Sequence, residues 1–151
     1  MTAYRPVTSS DIGALVALES EMFGRDAWSA ESVAGELAAV GTNRIVIVAL
    51  DGERLVGYAA LMHVGDVADL QRVVVHRDHR RQGIAADLVR DLLAEAAGQG
   101  CHEVLLEVAA DNDAALALYT RLGFTEISRR SGYYRGDVDA VVMAVRPEQP
   151  L

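Results

Sequence analysis

The stretch Val73-Val74-Val75-His76-Arg77-Asp78-His79-Arg80-Arg81-Gln82-Gly83-Ile84-Ala85-Ala86-Asp87-Leu88 runs from an apolar segment through a basic, glycine-containing turn into a helical pattern. Three β-branched residues favour a strand, and Ile84, Leu88, Leu92 and Ala96 continue at helical spacing. A helix that opens directly after a strand leaves its first backbone N–H groups unbonded and partially positive, which makes a cradle for phosphate oxygens wherever no side chain blocks them. Gly83 and Ala85 keep that approach open, and Arg80 and Arg81 add positive charge beside it.

Outward from the cradle the pattern predicts an α/β class with a mixed sheet. Ile45 to Leu50, Leu55 to Val64 and Val67 to Val75, separated by turns at Asp51-Gly52 and Gly65-Asp66, read as an antiparallel meander. After the helix, which Gly98 and Gly100 stop, Val104 to Val108 forms another strand. A strand-helix-strand crossover makes two strands parallel, so the sheet changes character at the cradle and opens a cleft there.

Upstream, a strand at Tyr4 to Val7 and a capping cluster at Thr8-Ser9-Ser10-Asp11 precede a helix carrying Ile12, Leu15, Val16, Glu19, Met22 and Phe23 on one stripe. Glu19 interrupts that apolar stripe. A second helix starts near Ser29, after the loop Gly24-Arg25-Asp26-Ala27-Trp28, which is a candidate to face a substrate. Downstream, Asp111-Asn112-Asp113 caps a last helix ending at Leu122-Gly123, and Phe124 to Arg129 and Ala140 to Val145 close as a hairpin around a loop from Ser131 to Asp139.

The chain of 151 residues reads as one domain, with residues 146–151 as a tail. A domain of this size buries roughly 68–70% of the surface its unfolded chain exposes. The single cysteine, Cys101, rules out an internal disulfide and fits a reducing compartment, and no His, Cys or carboxylate spacing suits a metal. No signal core and no run of roughly 20 apolar residues appears, so a cytoplasmic location away from membranes is expected. The net charge of −8 argues against nucleic acid and favours a cationic amine or basic peptide.

Arg80-Arg81-Gln82-Gly83-Ile84-Ala85 resembles the Gln/Arg-x-x-Gly-x-Gly/Ala signature of the GNAT N-acetyltransferases. Asn112-x-x-Ala115-x-x-Leu118-Tyr119-x-x-x-Gly123-Phe124 is similar to a second pattern of that family, and the element order agrees from about residue 4 to about residue 145. The resemblance implies a mostly antiparallel sheet with helices on both faces and a splayed parallel pair that holds acetyl-CoA, with no metal. Asp26-Ala27-Trp28-Ser29, Leu106-Glu107-Val108, Asn112-Asp113-Ala114-Ala115 and Arg129-Arg130-Ser131-Gly132-Tyr133-Tyr134-Arg135 look most like the RimI-type subgroup, which acetylates the N-terminal alanine of a small-subunit ribosomal protein. It implies Glu107 as general base and Tyr119 as general acid. Cofactor contacts are implied from Val73, Val74, Val75, Arg80, Arg81, Gln82, Gly83, Ile84, Ala85, Ala86 and Asn112.

These roles agree with the chemistry required. An N-terminal amine of pKa about 7.7–8.0 is already roughly 10–15% neutral at pH 7, whereas a lysine needs about 4–5 kcal/mol of help, so a carboxylate acting through water suits the former. Glu107 lies in an otherwise apolar strand, where desolvation is expected to strengthen it as a base; the ordinary alternative is a solvated strand-end carboxylate. Tyr119 stands either as a proton donor to the departing thiolate or as a tyrosine at the core's edge, and Asn112 as a pantetheine contact, a helix cap, or both. Arg90 and Arg121 are further phosphate candidates, and Tyr133 and Tyr134 either drape over a peptide or pack their loop. The chain departs from the family in having His76-Arg77 for Asp-Pro and Ala85 for a second glycine. Two rival readings remain: a lysine or small-amine acetyltransferase, and a non-catalytic acetyl-CoA-binding module.

Overall fold

The computed structural model describes residues 1–134 and 137–147. Arg135, at the end of the hairpin motif, and residues 148–151 of the expected tail lie outside the described residues.

The chain opens with β1 (Thr2–Pro6), α1 (Ile12–Phe23) and α2 (Ala30–Ala38). Thr8 N–H donates to the Asp11 carboxylate at 2.7 Å to start the first helical turn, and Ser29 Oγ accepts from Ser32 N–H at 3.0 Å to start α2. The predicted meander is β2 (Arg44–Asp51), β3 (Arg54–Val64) and β4 (Val67–Val75). It leads through the cradle into α3 (Ile84–Gly98) and β5 (Glu103–Ala109), then α4 (Asp113–Arg121), β6 (Thr125–Tyr134) and β7 (Val138–Val145).

Among the described residues seven strands share one sheet in the order β1-β2-β3-β4-β5-β7-β6, in which β4 and β5 are the one parallel pair of neighbours. The alternation of the strands divides the core in two. One face packs Leu15, Leu18 and Val33 of α1 and α2 on Val46, Val48, Tyr58 and Val74. The other packs Ile84, Leu88, Leu92 and Ala96 of α3 on Ile47, Ala59, Leu61 and Val104, with Leu122 and Phe124 beside α4. Among the described residues no helix is long and apolar enough to cross a membrane.

The loop expected from Ser131 to Asp139 is corrected. β6 runs on to Tyr134, which pairs with Val138, after a register shift that Gly132 accommodates at φ +62° while its N–H donates to Asp139 Oδ1 at 2.9 Å. A bulge of this kind absorbs the Ser-Gly dipeptide that looks like a loop, so the aromatic pair that follows stays in the sheet.

Candidate active site

The parallel ladder between β4 and β5 lasts only from Val67↔Glu103 to Asp69↔Leu105. Beyond it, β5 keeps pairing with β7 as far as Ala109, while β4 continues with β3 to Val75. The two strands therefore diverge, and a cavity of about 440 Å³ lies in the gap, lined by Val73, Val74, Val75, Asn112 and Tyr119 among others. A second hollow of about 370 Å³ continues over the start of α3, against Arg80, Arg81, Gly83, Ile84, Ala85 and Ala86. Val75, Arg80, Ala85, Ala114 and Leu118 line both.

The cradle takes its shape from two left-handed residues, Arg81 at φ +65° and Gly83 at φ +76°. The first helical bond joins Asp87 N–H to Gly83 O at 3.0 Å, so the amides of Ile84, Ala85 and Ala86 have no carbonyl one turn back. A β-carbon on Gly83 would meet nothing within 4 Å, which leaves room for an anionic group against those amides. His76, where the family often has aspartate, supplies the turn's cap through the imidazole: Nδ1 accepts from Asp78 N–H at 3.1 Å, while Nε2 lies 2.9 Å from the Glu21 carboxylate and 3.3 Å from Arg54 Nη2. Asn112 Oδ1 accepts from Ala115 N–H at 3.2 Å, and the same side chain borders the cavity, so the cap and the lining position coexist.

Of the expected contacts, Gln82 alone lines neither hollow; it is exposed. Arg121 borders the second hollow, whereas Arg90 turns to Asp87 at 3.3 Å. Tyr119 lies in the first cavity, edge-on to Phe124 at 5.7 Å, and burial pushes its hydroxyl above the usual phenol range. Glu107 departs from expectation. Period-two alternation turns Leu106 and Val108 inward and leaves Glu107 exposed, so the flanking apolar residues do not desolvate it. Its charge reaches Tyr134: burial first, and then Glu107, raise the Tyr134 hydroxyl, while Arg130 acts against them. Tyr134 stands edge-on to Tyr133 at 5.1 Å, and neither these rings nor Glu107 line the two hollows.

Sequence reading did not assign Met22 and Phe23 to the cavity wall, where the end of α1 brings them. A register shift between Ala60 and Leu61 pairs Arg72 with Ala60 and Leu70 with Leu61, leaving Gln71 as an extra residue in β4. The shift puts Leu70 on the α3 face and Val74 on the α1 face. Arg72 is carried with Val74 toward α1, where it meets Glu19. That carboxyl is fully buried; burial would raise it, but hydrogen bonds from Arg72, Tyr58 and the Trp28 amide outweigh the cost and hold it below the usual carboxylate range.

The model of the acetyltransferase (GNAT) family matches residues 14–124. The N-alpha-acetyltransferase RimI of Mycobacterium tuberculosis is 35% identical over 143 residues, covering 91% of this chain and 87% of that protein. The [Ribosomal protein bS18]-alanine N-acetyltransferase of Escherichia coli K12 is 38% identical over 95 residues, 61% of this chain and 64% of that one. The crystal structure of the ribosomal-protein-S18-alanine N-acetyltransferase from Escherichia coli superposes with a TM-score of 0.87 at 28% identity, covering 100% of this chain and 97% of that chain. Arabidopsis thaliana NAA60 in complex with acetyl-CoA shares the fold at a TM-score of 0.82 and 22% identity, over 97% of this chain and 98% of that one.

Proposed function

Because the chain belongs to the acetyltransferase (GNAT) family, we propose that this acetyl-CoA-dependent N-acetyltransferase modifies a protein N-terminal α-amine, that of an alanine-starting ribosomal protein, in the cytoplasm and with a single domain. The observation that carries this reading is the cleft between β4 and β5, closed at one end by the cradle and bordered at the other by Tyr119, Met22 and Phe23. RimI-type relatives cover most of the chain, and an acidic net charge of −8 favours a cationic acceptor.

Acetyl-CoA supplies an acetyl group already activated as a thioester. The amides of Ile84, Ala85 and Ala86, with Arg80 and Arg81, would bind its diphosphate, and Asn112 would hold its pantetheine arm. Backbone N–H groups in Val73 to Val75 polarise the thioester carbonyl from the freed edge of β4. Glu107, solvated rather than enclosed, accepts the amine's proton through a water molecule; an α-amine of pKa about 7.7–8.0 requires no stronger base. Tyr119 gives its proton to the sulfur as the carbon–sulfur bond breaks, and its raised pKa keeps that proton available at neutral pH. One C–N bond forms, one C–S bond breaks, and no covalent enzyme intermediate is involved; Cys101 is buried away as part of the α3-side core.

Steady-state acetylation of an alanine-starting peptide, set against an α-blocked lysine peptide, tests the acceptor class. Turnover of the first alone is expected. Turnover confined to the lysine peptide overturns the reading, and failure of calorimetry to detect acetyl-CoA uptake overturns the cofactor site.

A further inference from the structure

The segment from Phe23 to Trp28 is tied to the rest of the molecule through a buried ion pair. Glu19 Oε1 accepts the Trp28 amide at 2.9 Å, and its Oε2 accepts the Tyr58 hydroxyl. Arg72 grips both carboxylate oxygens, Nε to Oε2 at 2.9 Å and Nη2 to Oε1 at 2.5 Å, and Nη2 lies 3.5 Å from the Asp26 carbonyl. The same guanidinium stacks on Phe23 at 4.1 Å and on Trp28 at 4.9 Å.

A buried ion pair adds little net stability, because desolvation consumes most of the Coulomb gain and apolar residues would fill the space at lower cost. What this one adds is geometry. A planar fork fixes the guanidinium in one orientation, over the Phe23 and Trp28 rings. Arg72 is also the first residue after the bulge in β4 and stands next to Val73, while Phe23 and Val73 both line the larger cavity. The ion pair thus couples the position of the segment to the position of the cleft wall.

We propose that Arg72 is a positioning residue for the acceptor: held by Glu19, it clamps the segment from Phe23 to Trp28 against the bulged part of β4 and sets the shape of the cleft's acceptor end. The proposal rests on the acetyl-transfer reading, since it is the cradle at the far end of the cleft that makes the Phe23 end the acceptor's.

Arg72→Lys keeps the charge but loses the fork and the flat stacking surface. It should raise KM for the alanine-starting peptide at least about fivefold, with kcat within about threefold and Kd for acetyl-CoA within about twofold. Glu19→Gln should raise the same KM, and the double variant should fall short of the product of the two effects, because both residues act through one clamp. A folded Arg72→Lys with unchanged peptide KM overturns the proposal, as does a parallel loss of acetyl-CoA affinity, which would mark general loosening. If Arg72→Lys does not fold, Trp28→Leu carries the test, because it keeps the Glu19 ion pair and removes one stacking face; an unchanged peptide KM there has the same meaning. The unaltered chain is assayed first on both peptides. Turnover of the lysine peptide alone counts against the acceptor class, and the clamp is then read with that peptide.

Discussion

A β-carbon on Gly57 would stand 2.8 Å from the carbonyl oxygen of Val74, with Leu88 Cδ1 and Ile84 Cγ2 next at 3.4 and 3.5 Å. Gly57 therefore lies where β3, β4 and the first turn of α3 meet, directly behind the wall of the cleft. The obstacle is backbone and cannot rotate away. Gly57→Ala is expected to destabilise the protein by about 1–3 kcal/mol, the usual cost of overpacking, and to weaken acetyl-CoA binding. Thermal denaturation and calorimetry check it; an unchanged melting temperature would contradict the packing described.

At the cradle, sterics and strain separate. A side chain on Gly83 meets nothing but must adopt φ +76°, which costs a non-glycine residue about 1–2 kcal/mol. Gly83→Ala should lose that much stability and also bind acetyl-CoA more weakly, because the methyl enters the space left for the diphosphate. Arg81 already bears the same kind of strain at φ +65°, so Arg81→Gly should leave stability level or raise it by up to about 1 kcal/mol while still weakening the cofactor. Binding and unfolding measured on both variants distinguish the two effects.

Loss of the proposed base or acid should reduce turnover and spare the cofactor. Glu107→Gln and Tyr119→Phe are each expected to lower kcat by at least about tenfold, within the 10² to 10⁴ that general acid or base action commonly supplies, with little change in Kd for acetyl-CoA. A raised phenol pKa means the proton stays on Tyr119 to higher pH, so the alkaline fall in kcat should lie above pH 10. An alkaline limb below that value, or one that survives in Tyr119→Phe, would remove Tyr119 as the acid.

Acid stability should depend on Asp11. Arg5 forks onto its two carboxylate oxygens at 2.8 and 2.9 Å, tying β1 to the start of α1, and this hydrogen bonding holds the carboxyl down to about 2. A pKa lower in the folded state means the unfolded chain takes up the proton first as pH drops. The contribution is therefore complete above about pH 4 and disappears as pH falls toward 2. With Arg5 partly in solvent, Asp11→Asn should cost about 1–2 kcal/mol at pH 7 and progressively less below pH 4. Urea unfolding across that range measures it, and a constant difference would refute the assignment.

The cradle was legible because everything it needs is contiguous: a β-branched strand end, a glycine able to take positive φ, and a helix whose first amides face the turn. Asn112 was legible for the same reason, since a cap acts on the residue three places on. The surroundings of Glu107 were misread: it is exposed. Apolar neighbours in sequence say little about burial in a strand, where successive side chains point to opposite faces. The hairpin's length was misread because Gly132 looks like a loop residue until its strand partner is known.

Local periodicity and turn chemistry, which act over a few residues, determined the α/β class, the antiparallel meander, the crossover and the glycine turn that opens α3 from the chain alone. Only the tertiary structure decided that β7 inserts between β5 and β6, that Gln71 bulges out of β4, and that Glu19 finds Tyr58 and Arg72. Such pairings join residues tens of positions apart, and their partners are chosen by the packing of the whole sheet against two helical layers rather than by any local preference.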